Sequence, residues 1–478
     1  MTLIRPRAIG QPLTAVDYYR DESVRARILE HCGGRPTRPA TAAYVATIDT
    51  TGSGPSTWDQ AILAPVSELP RLLDEGRDIS RSLWDTEHLL FFFEIDYLNS
   101  DRPAEPFIHP ADVFLKLEAT YHAVARAFSA RHLRTRPFVS GRGYHFLGKI
   151  PLTDPVVDEL ADLVPETPVW FDGYLDRRPA GVTATMTVRQ ARAADGLGLL
   201  LEYAAHLVLA ESVGSPIPVV FNGTTVGPGP NGRECVSLDF SHAGDPLDIR
   251  HVRTAFSAYQ WHRHRPDIFG AEVASGVPPL AVIPRQRHSL MTLLLSGRDL
   301  RAGVEAAHGN TAVMPNVASG VRTLLAQYRA SPLAAFHQSF AAARRSAAGE
   351  PPTLDVRGVP PCVAAPLARP NDLLLKPEHI QHLVRDLISR GWRAAQIAAL
   401  IQSVYEADHD WGDRWQRMHP RMRADFDVRV FAGLLATGAD TLVDFNCVSA
   451  QEKGLCPRTG CQYDLRRDRD RLEAGLTS

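Results

Sequence analysis

Cysteine, methionine and tryptophan are scarce, at six, six and seven residues in a chain of 478. Six cysteines over that length cannot make the dense disulfide framework that holds small secreted domains together. Three of them crowd into the last tenth of the chain, and in a reducing compartment such clustering favours metal over disulfide. Net charge is also nearly absent: 52 Lys and Arg against 54 Asp and Glu leave −2. Bulk electrostatics therefore gives no argument for a polyanionic partner, and any such surface must be local. No apolar run approaches the ~18 residues needed to span a bilayer; residues 199–209 come nearest and are broken by Glu202 and His206. The opening MTLIRPRAIG has no apolar stretch behind its basic residues, so it does not read as a secretory signal. The expectation is a soluble, cytoplasmic protein without a membrane partner.

What is present is ordinary for a folded chain. Hydrophobic residues make up 44% and charged residues 22%, enough for about two to four domains of ~100–200 residues each. A helical stretch is expected near residues 18–31 and a strand at 42–48, followed by LLFFFEIDYL at 89–98, a short aromatic run that reads as a buried strand. A helical period covers residues 111–130, and PFVSGRGYHFLGKIP at 137–151 reads as a strand pair around a glycine turn. Further strands are expected at 182–188, 218–221 and 234–240, which makes residues 1–278 mixed α and β. From 279 the pattern turns helical as far as a proline-rich loop (Pro351, Pro352, Pro360, Pro361), read as an interdomain boundary. Residues 279–352 are thus expected to be a helical connection. Residues 353–478 are expected to be a second domain, with helices at 379–390, 394–406 and 428–436 and a cysteine-bearing end.

Glu94 and Asp96 stand two apart on a predicted strand, so a period of two places both carboxylates on one face. Two acids side by side in an apolar strand repel each other and lose hydration unless a cation holds them. A divalent metal meets that need, as does a water-exposed edge or a cap of Arg or Lys. Ser140-Gly141-Arg142-Gly143-Tyr144-His145 sets a hydroxyl, a guanidinium and an imidazole among glycines that allow close backbone approach. The set suits phosphate, although a plain hairpin with a core histidine has the same composition. Asp239 ends another apolar strand pattern, and Arg253 and Ser257 follow it with further phosphate- or sugar-binding groups. Local positive charge occurs at residues 250–265 and at Arg466, Arg467, Arg469 and Arg471, a pattern shared by solvated helix faces.

In this order, the acid-x-acid strand, Ser-Gly-x-Gly-x-His and the strand with a lone Asp resemble the motifs of the archaeo-eukaryotic primase superfamily. The resemblance covers about the first 275 residues and is sharpest over PFVSGRGYHF. It implies an α+β fold, a catalytic domain of mixed sheets with an RRM-like core and flanking helices. It also implies that Glu94, Asp96 and Asp239 are catalytic and ligate Mg2+ or Mn2+, and that Ser140, Gly141, Arg142, Gly143 and His145 bind the incoming nucleotide. Arg253 and Ser257 match the Arg-x3-Ser stretch that follows the third motif in primase small subunits. The chain departs from the pattern in having Glu at 94 where Asp is commonest, and Tyr259 and Trp261 where small subunits carry His and Lys. It also lacks the cysteine set of the archaeal zinc knob. Carboxylates bridging two metals can lower the pKa of a 3′-hydroxyl, stabilise the phosphorus in transfer and neutralise pyrophosphate, without a side-chain nucleophile.

Cys447-x8-Cys456-Pro457-x3-Cys461, with Cys362 across the helical segment, lacks the paired CxxC knuckles of a zinc ribbon. Scattered thiols, one followed by proline, suit an iron–sulfur cluster; spacing alone leaves zinc and uncoordinated thiols open. Pro360-Pro361-Cys362, the helices and the run NCVSAQEKGLCP resemble the C-terminal domain of the primase large subunit, over residues 353–465. That resemblance implies an all-α domain with a [4Fe–4S] cluster on Cys362, Cys447, Cys456 and Cys461, contacting template and initiating nucleotide. Cys32 and Cys235 read as ordinary buried thiols.

Two resemblances to one two-subunit enzyme lead to the expectation of a single-chain DNA primase or primase-polymerase. Its reaction would be two-metal, template-directed nucleotidyl transfer from NTPs or dNTPs. Its partners would be a single-stranded DNA template and primer, nucleoside triphosphates and a helicase or other replication protein, in the nucleoid-associated cytoplasm. A repair or translesion polymerase needing a 3′ end, and a non-catalytic nucleic-acid-binding protein in which Glu94 supports no chemistry, are the alternatives.

Overall fold

The computed structural model describes residues 13–35, 37–48, 61–176, 180–182, 185–244, 251–285, 289–346, 355, 358–407, 409, 419–457 and 461–476. The fold is α+β, as expected. In chain order its strands are β1 (Val45–Thr47), β2 (Ile62–Ala64), β3 (Ser80–Arg81), β4 (His88–Asn99), β5 (Arg136–Val139), β6 (Gly143–Pro151), β7 (Val219–Phe221), β8 (Glu234–Asp239), β9 (Val252–Arg253), β10 (Ala258–Tyr259), β11 (Leu280–Ala281) and β12 (Ile283–Pro284). Two compact units interleave along the chain. The first comprises Met1–Tyr97, Arg102–Gly196 and Ile249–Val321, and the second Leu98–Asp101, Leu197–Asp248 and Arg322–Ser478.

In the first unit β12, β5, β6 and β4 are hydrogen-bonded neighbours in that order; β2-β1-β3-β9 form a smaller sheet and β10-β11 a pair. The aromatic run of residues 89–98 makes β4 the longest strand described, because bulky side chains pack well on a pleated surface. Along β4, Phe91, Phe93 and Ile95 share a face, and on β6 so do Tyr144 and Phe146. The helix Pro110–Ser129 covers that face. Its Phe128 ring lies 5.6 Å from Phe91 and 5.5 Å from Phe93, Phe114 lies 5.4 Å from Tyr144, and Tyr121 lies 5.6 Å from Phe146. The helix starts on Pro110, whose missing N–H costs nothing there, and its buried residues recur at helical spacing. Burying each such ring contributes about 1.5–3 kcal/mol, so the face opposite Glu94 and Asp96 is strongly specified.

The expected hairpin at 137–151 forms as β5 and β6, in register Val139↔Tyr144 to Arg136↔Leu147. Two expectations are corrected. Of residues 182–188, expected as a strand, 183 and 184 lie outside the described residues, 182 and 185–187 have no regular structure, and Val188 opens a helix. The cause is a capping box. Thr187 N donates to Gln190 Oε1 at 2.7 Å, and Gln190 N donates to Thr187 Oγ1 at 3.2 Å. The helical pattern expected from 279 begins later, because residues 280–284 supply β11 and β12. Pro284 is tolerated there because β12 is the outer strand of its ladder with β5.

In the second unit β7 and β8 pair in parallel, and helices at Pro332–Ser346, Pro377–Ser389, Ala394–Tyr405 and Pro420–Ala436 pack on one another. The helix Val188–Glu211 is long and apolar enough to cross a membrane by length and composition, and 56% of its most apolar window is buried in the protein. Its Glu202 is fully buried. The carboxylate meets His337 Nε2 at 3.0 Å and Arg429 Nε at 3.0 Å, while His337 Nδ1 lies 2.9 Å from the Tyr328 hydroxyl. Burial alone would raise the Glu202 pKa, but His337 and Arg429 outweigh it and hold the group at about 2. Glu202→Gln removes the counter-charge of Arg429 and the carboxylate that faces the buried His337. It should destabilise the second unit by roughly 3–5 kcal/mol, read as a lower urea midpoint. Because the folded carboxyl is held below its ordinary 4.5, its contribution is complete above that pH and is lost as pH falls towards about 2. Acid titration of stability should show this component in the native chain and not in the variant.

Candidate active site and cysteine cavity

The turn between β5 and β6 closes with Ser140 N donating to Gly143 O at 2.9 Å and Gly143 N donating to Ser140 Oγ at 3.1 Å. The Ser140 hydroxyl thus shapes the turn. Beyond it, Asp96 faces Gly143 across the ladder and Glu94 faces His145. The hairpin supplies a partner for each acid. Arg142 places Nε and Nη2 each 2.7 Å from Asp96 Oδ2, and His145 Nε2 lies 3.2 Å from Glu94 Oε1. These side chains are largely buried except that of Arg142, which is 36% exposed. Burial disfavours the charged guanidinium of Arg142, yet Asp96, Tyr259 and Glu94 outweigh it and raise its pKa.

The glycines have a different purpose from the ligand approach expected of them. A Cβ on Gly143 would lie 2.0 Å from Ile95 O and 2.7 Å from Asp96 Oδ1, and one on Gly141 would lie 2.7 Å from Cζ of Tyr259. Neighbouring protein atoms already fill both spaces. Tyr259, which the sequence offers as a further phosphate or sugar contact and as a departure from the family pattern, has a packing role here. Its ring packs on Gly141, and the Arg253 guanidinium stacks 4.2 Å from its centroid. Burial pushes its hydroxyl up to about 12 against the pull of Arg142 and Arg253. Arg253 is buried and paired with Asp78 at 2.9 Å, an acid that carried no sequence signal.

Ser257, expected to contact nucleotide, is fully buried; its Oγ accepts from Ile79 N at 2.7 Å and lies 3.4 Å from the Tyr19 hydroxyl. It holds β-structure together in this structure. Asp239 ends β8 in the second unit, where its Oδ1 accepts from Ser241 N at 3.0 Å and from Ser241 Oγ at 2.8 Å. Several arginines of the basic stretches pair with neighbouring acids. Arg265 pairs with Asp267, Arg466 with Asp464, Arg469 with Glu473 and Arg471 with Asp468. Arg250 lies outside the described residues.

In the second unit one cavity of about 70 Å³ is lined by all four predicted cysteines, together with Pro360, Gln451 and Tyr463 among others. Cys362 sits in the first turn of the helix Pro361–Ala368 and Cys447 begins the helix Cys447–Glu452, whose cap Asn446 accepts from Ser449 N. Leu465 N donates to Cys447 Sγ at 3.4 Å. Burial pushes the Cys362 thiol up to about 12, reinforced by Asp386, Cys456 and Cys447. His382, which drew no attention in the sequence, places Nε2 3.1 Å from Cys362 Sγ. Arg385 binds Asp440 at 2.7 Å and Asp444 at 2.9 Å, which fixes the segment leading into Cys447. Among the described residues, no three His, Cys, Asp or Glu side chains form a group able to hold one metal ion.

No protein-family model, curated protein or solved structure matches this chain. The geometry itself yields a check. Gly143→Ala should cost roughly 1–3 kcal/mol, seen as a lower melting temperature, because the new methyl must displace the backbone carbonyl of Ile95; an unchanged melt would mean that the ladder beside Asp96 is slack.

Proposed function

We propose that this chain is a DNA primase or primase-polymerase that performs divalent-metal-dependent, template-directed nucleotidyl transfer from nucleoside triphosphates on single-stranded DNA. One observation carries the reading. The acid-x-acid strand and the Ser-Gly-x-Gly-x-His hairpin, distant in sequence, are ladder neighbours that set two carboxylates against an arginine and a histidine. Oxygen donors of this kind fit Mg2+ or Mn2+, and guanidinium and imidazole fit triphosphate oxygens. The reading assigns metal ligation to Glu94 and Asp96. Bound metal would supply activation of the 3′-hydroxyl and charge neutralisation of the leaving pyrophosphate. Arg142 and His145 would orient the phosphates in line with that hydroxyl, and Tyr259 would hold Arg142 in place from the side of Gly141. Arg253, stacked on Tyr259, is assigned support of that ring.

The same reading gives the second unit a [4Fe–4S] cluster on Cys362, Cys447, Cys456 and Cys461, as an element that assists initiation. A ring of four thiols around one small cavity supports this. Each cysteine of such a cluster binds a different iron, so the sulfurs need not converge on a single point as they must around zinc at ~2.3 Å. A thiol whose pKa burial has raised is thiolate only beside a cation, which the cluster iron would provide.

The test uses the full chain with single-stranded DNA, nucleoside triphosphates and Mn2+ or Mg2+. Dinucleotides and longer products are expected, and Asp96→Asn should abolish them with unchanged circular dichroism. Extension of a supplied primer without de novo product would identify a repair or translesion polymerase, and tight DNA binding without incorporation a non-catalytic protein. Anaerobically purified protein should be brown and contain iron that Cys447→Ser loses; a colourless, iron-free, zinc-containing protein would overturn the cluster assignment.

A further inference from the structure

The two acids have their partners in the hairpin, and these are the groups that a bound triphosphate would need. Arg142 spends two nitrogens on Asp96 Oδ2, both at 2.7 Å, and His145 faces Glu94 at 3.2 Å. The other charged and titratable neighbours felt by Arg142 are Tyr259 and Glu94. Tyr259 in turn lies against Arg253, which is tied to Asp78. Two carboxylates on one strand face cannot both stay ionised and dry without positive charge beside them, and the Arg142 guanidinium supplies it at Asp96. A metal on the same oxygens would make that charge redundant at Asp96.

We propose that Arg142 is an exchangeable counter-ion: it pairs with Asp96 and is transferred to the triphosphate when divalent metal takes over that carboxylate, with the His145 imidazole leaving Glu94 beside it. The inference rests on the metal-and-triphosphate reading above and adds an order to it. Metal binding comes first and creates the phosphate site, while triphosphate alone meets a guanidinium that is already paired. Arg142 is suited to the exchange because its side chain is the most exposed of the four, at 36%, so the guanidinium can turn without opening the core.

The experiment is a double-mutant cycle on the full chain, with calorimetric titration of inorganic triphosphate in a chelator-containing, metal-free buffer. Asp96→Asn frees Arg142 and should tighten triphosphate binding by about ten- to a hundredfold, the size of one lost charge-assisted hydrogen-bonded pair. In the Asp96→Asn/Arg142→Gln double variant that gain should vanish. A gain that survives the loss of Arg142 reports only the general field of a removed negative charge and overturns the exchange, as does no gain at all. A second arm covers the case in which Asp96→Asn does not fold. Arg142→Gln, at a partly exposed position, should bind Mn2+ alone about tenfold or more tightly than the native chain, because the competing cation is gone; unchanged or weaker Mn2+ binding overturns the proposal. Native protein that binds no Mn2+ under any of these conditions removes the metal reading itself and the exchange with it, and that result is distinct from native Mn2+ binding that Arg142→Gln leaves unaltered.

Discussion

The continuous pairing of β4 with β6, from His88↔Pro151 to Asp96↔Gly143, is the constraint on which the chemistry of the first unit depends. A slip of one residue would exchange every side chain between the two faces, bringing Phe93 and Ile95 to the site and burying Glu94 and Asp96 under the helix Pro110–Ser129. The aromatic packing of Phe91, Phe93, Tyr144 and Phe146 against that helix prevents the slip. Hydrophobic packing on one side of the sheet therefore sets the positions of two carboxylates on the other. Gly143 completes the arrangement, since only a residue without Cβ lets β6 approach Ile95 and Asp96 so closely.

Both units contain groups that are uncomfortable by themselves. Paired acids on β4 are held by Arg142 and His145, and a buried Cys362 thiol has its pKa raised by burial and by Asp386. Elsewhere the protein resolves buried charge completely, as at Glu202 with His337 and Arg429, or at Arg81, whose guanidinium is shared among Asp85, the His31 carbonyl and the Ser82 carbonyl. Those networks are closed.

Much of this was legible in the sequence. The run LLFFFEIDYL and the glycine turn of PFVSGRGYHF have strong local signals, period two and turn chemistry, and both appear within a residue or two of their expected bounds as β4, β5 and β6. The helices of the second unit were likewise readable from apolar spacing. Strand bias misled at residues 182–188, where the Thr187–Gln190 capping box starts a helix, and the short β11 and β12 were submerged in a helical pattern. The partners of the site residues were the least readable. Asp78, Tyr259 and His382 act through tertiary contacts with Arg253, Gly141 and Cys362, and no periodicity or spacing encodes such contacts. For the same reason the structure alone revealed that Ser257 is buried in hydrogen bonds and that the arginines of the last helix are balanced by neighbouring acids.

The central claim is that Glu94 and Asp96 exist to hold divalent metal beside a phosphate-binding hairpin. Its most direct test is a crystal structure of the full chain with Mn2+ and a non-hydrolysable nucleoside triphosphate, read by anomalous scattering from the metal. The account predicts manganese peaks on the Glu94 and Asp96 carboxylates, with Arg142 and His145 turned from those acids onto the phosphates. Manganese bound elsewhere, or an Asp96–Arg142 pair still intact with nucleotide present, would contradict it.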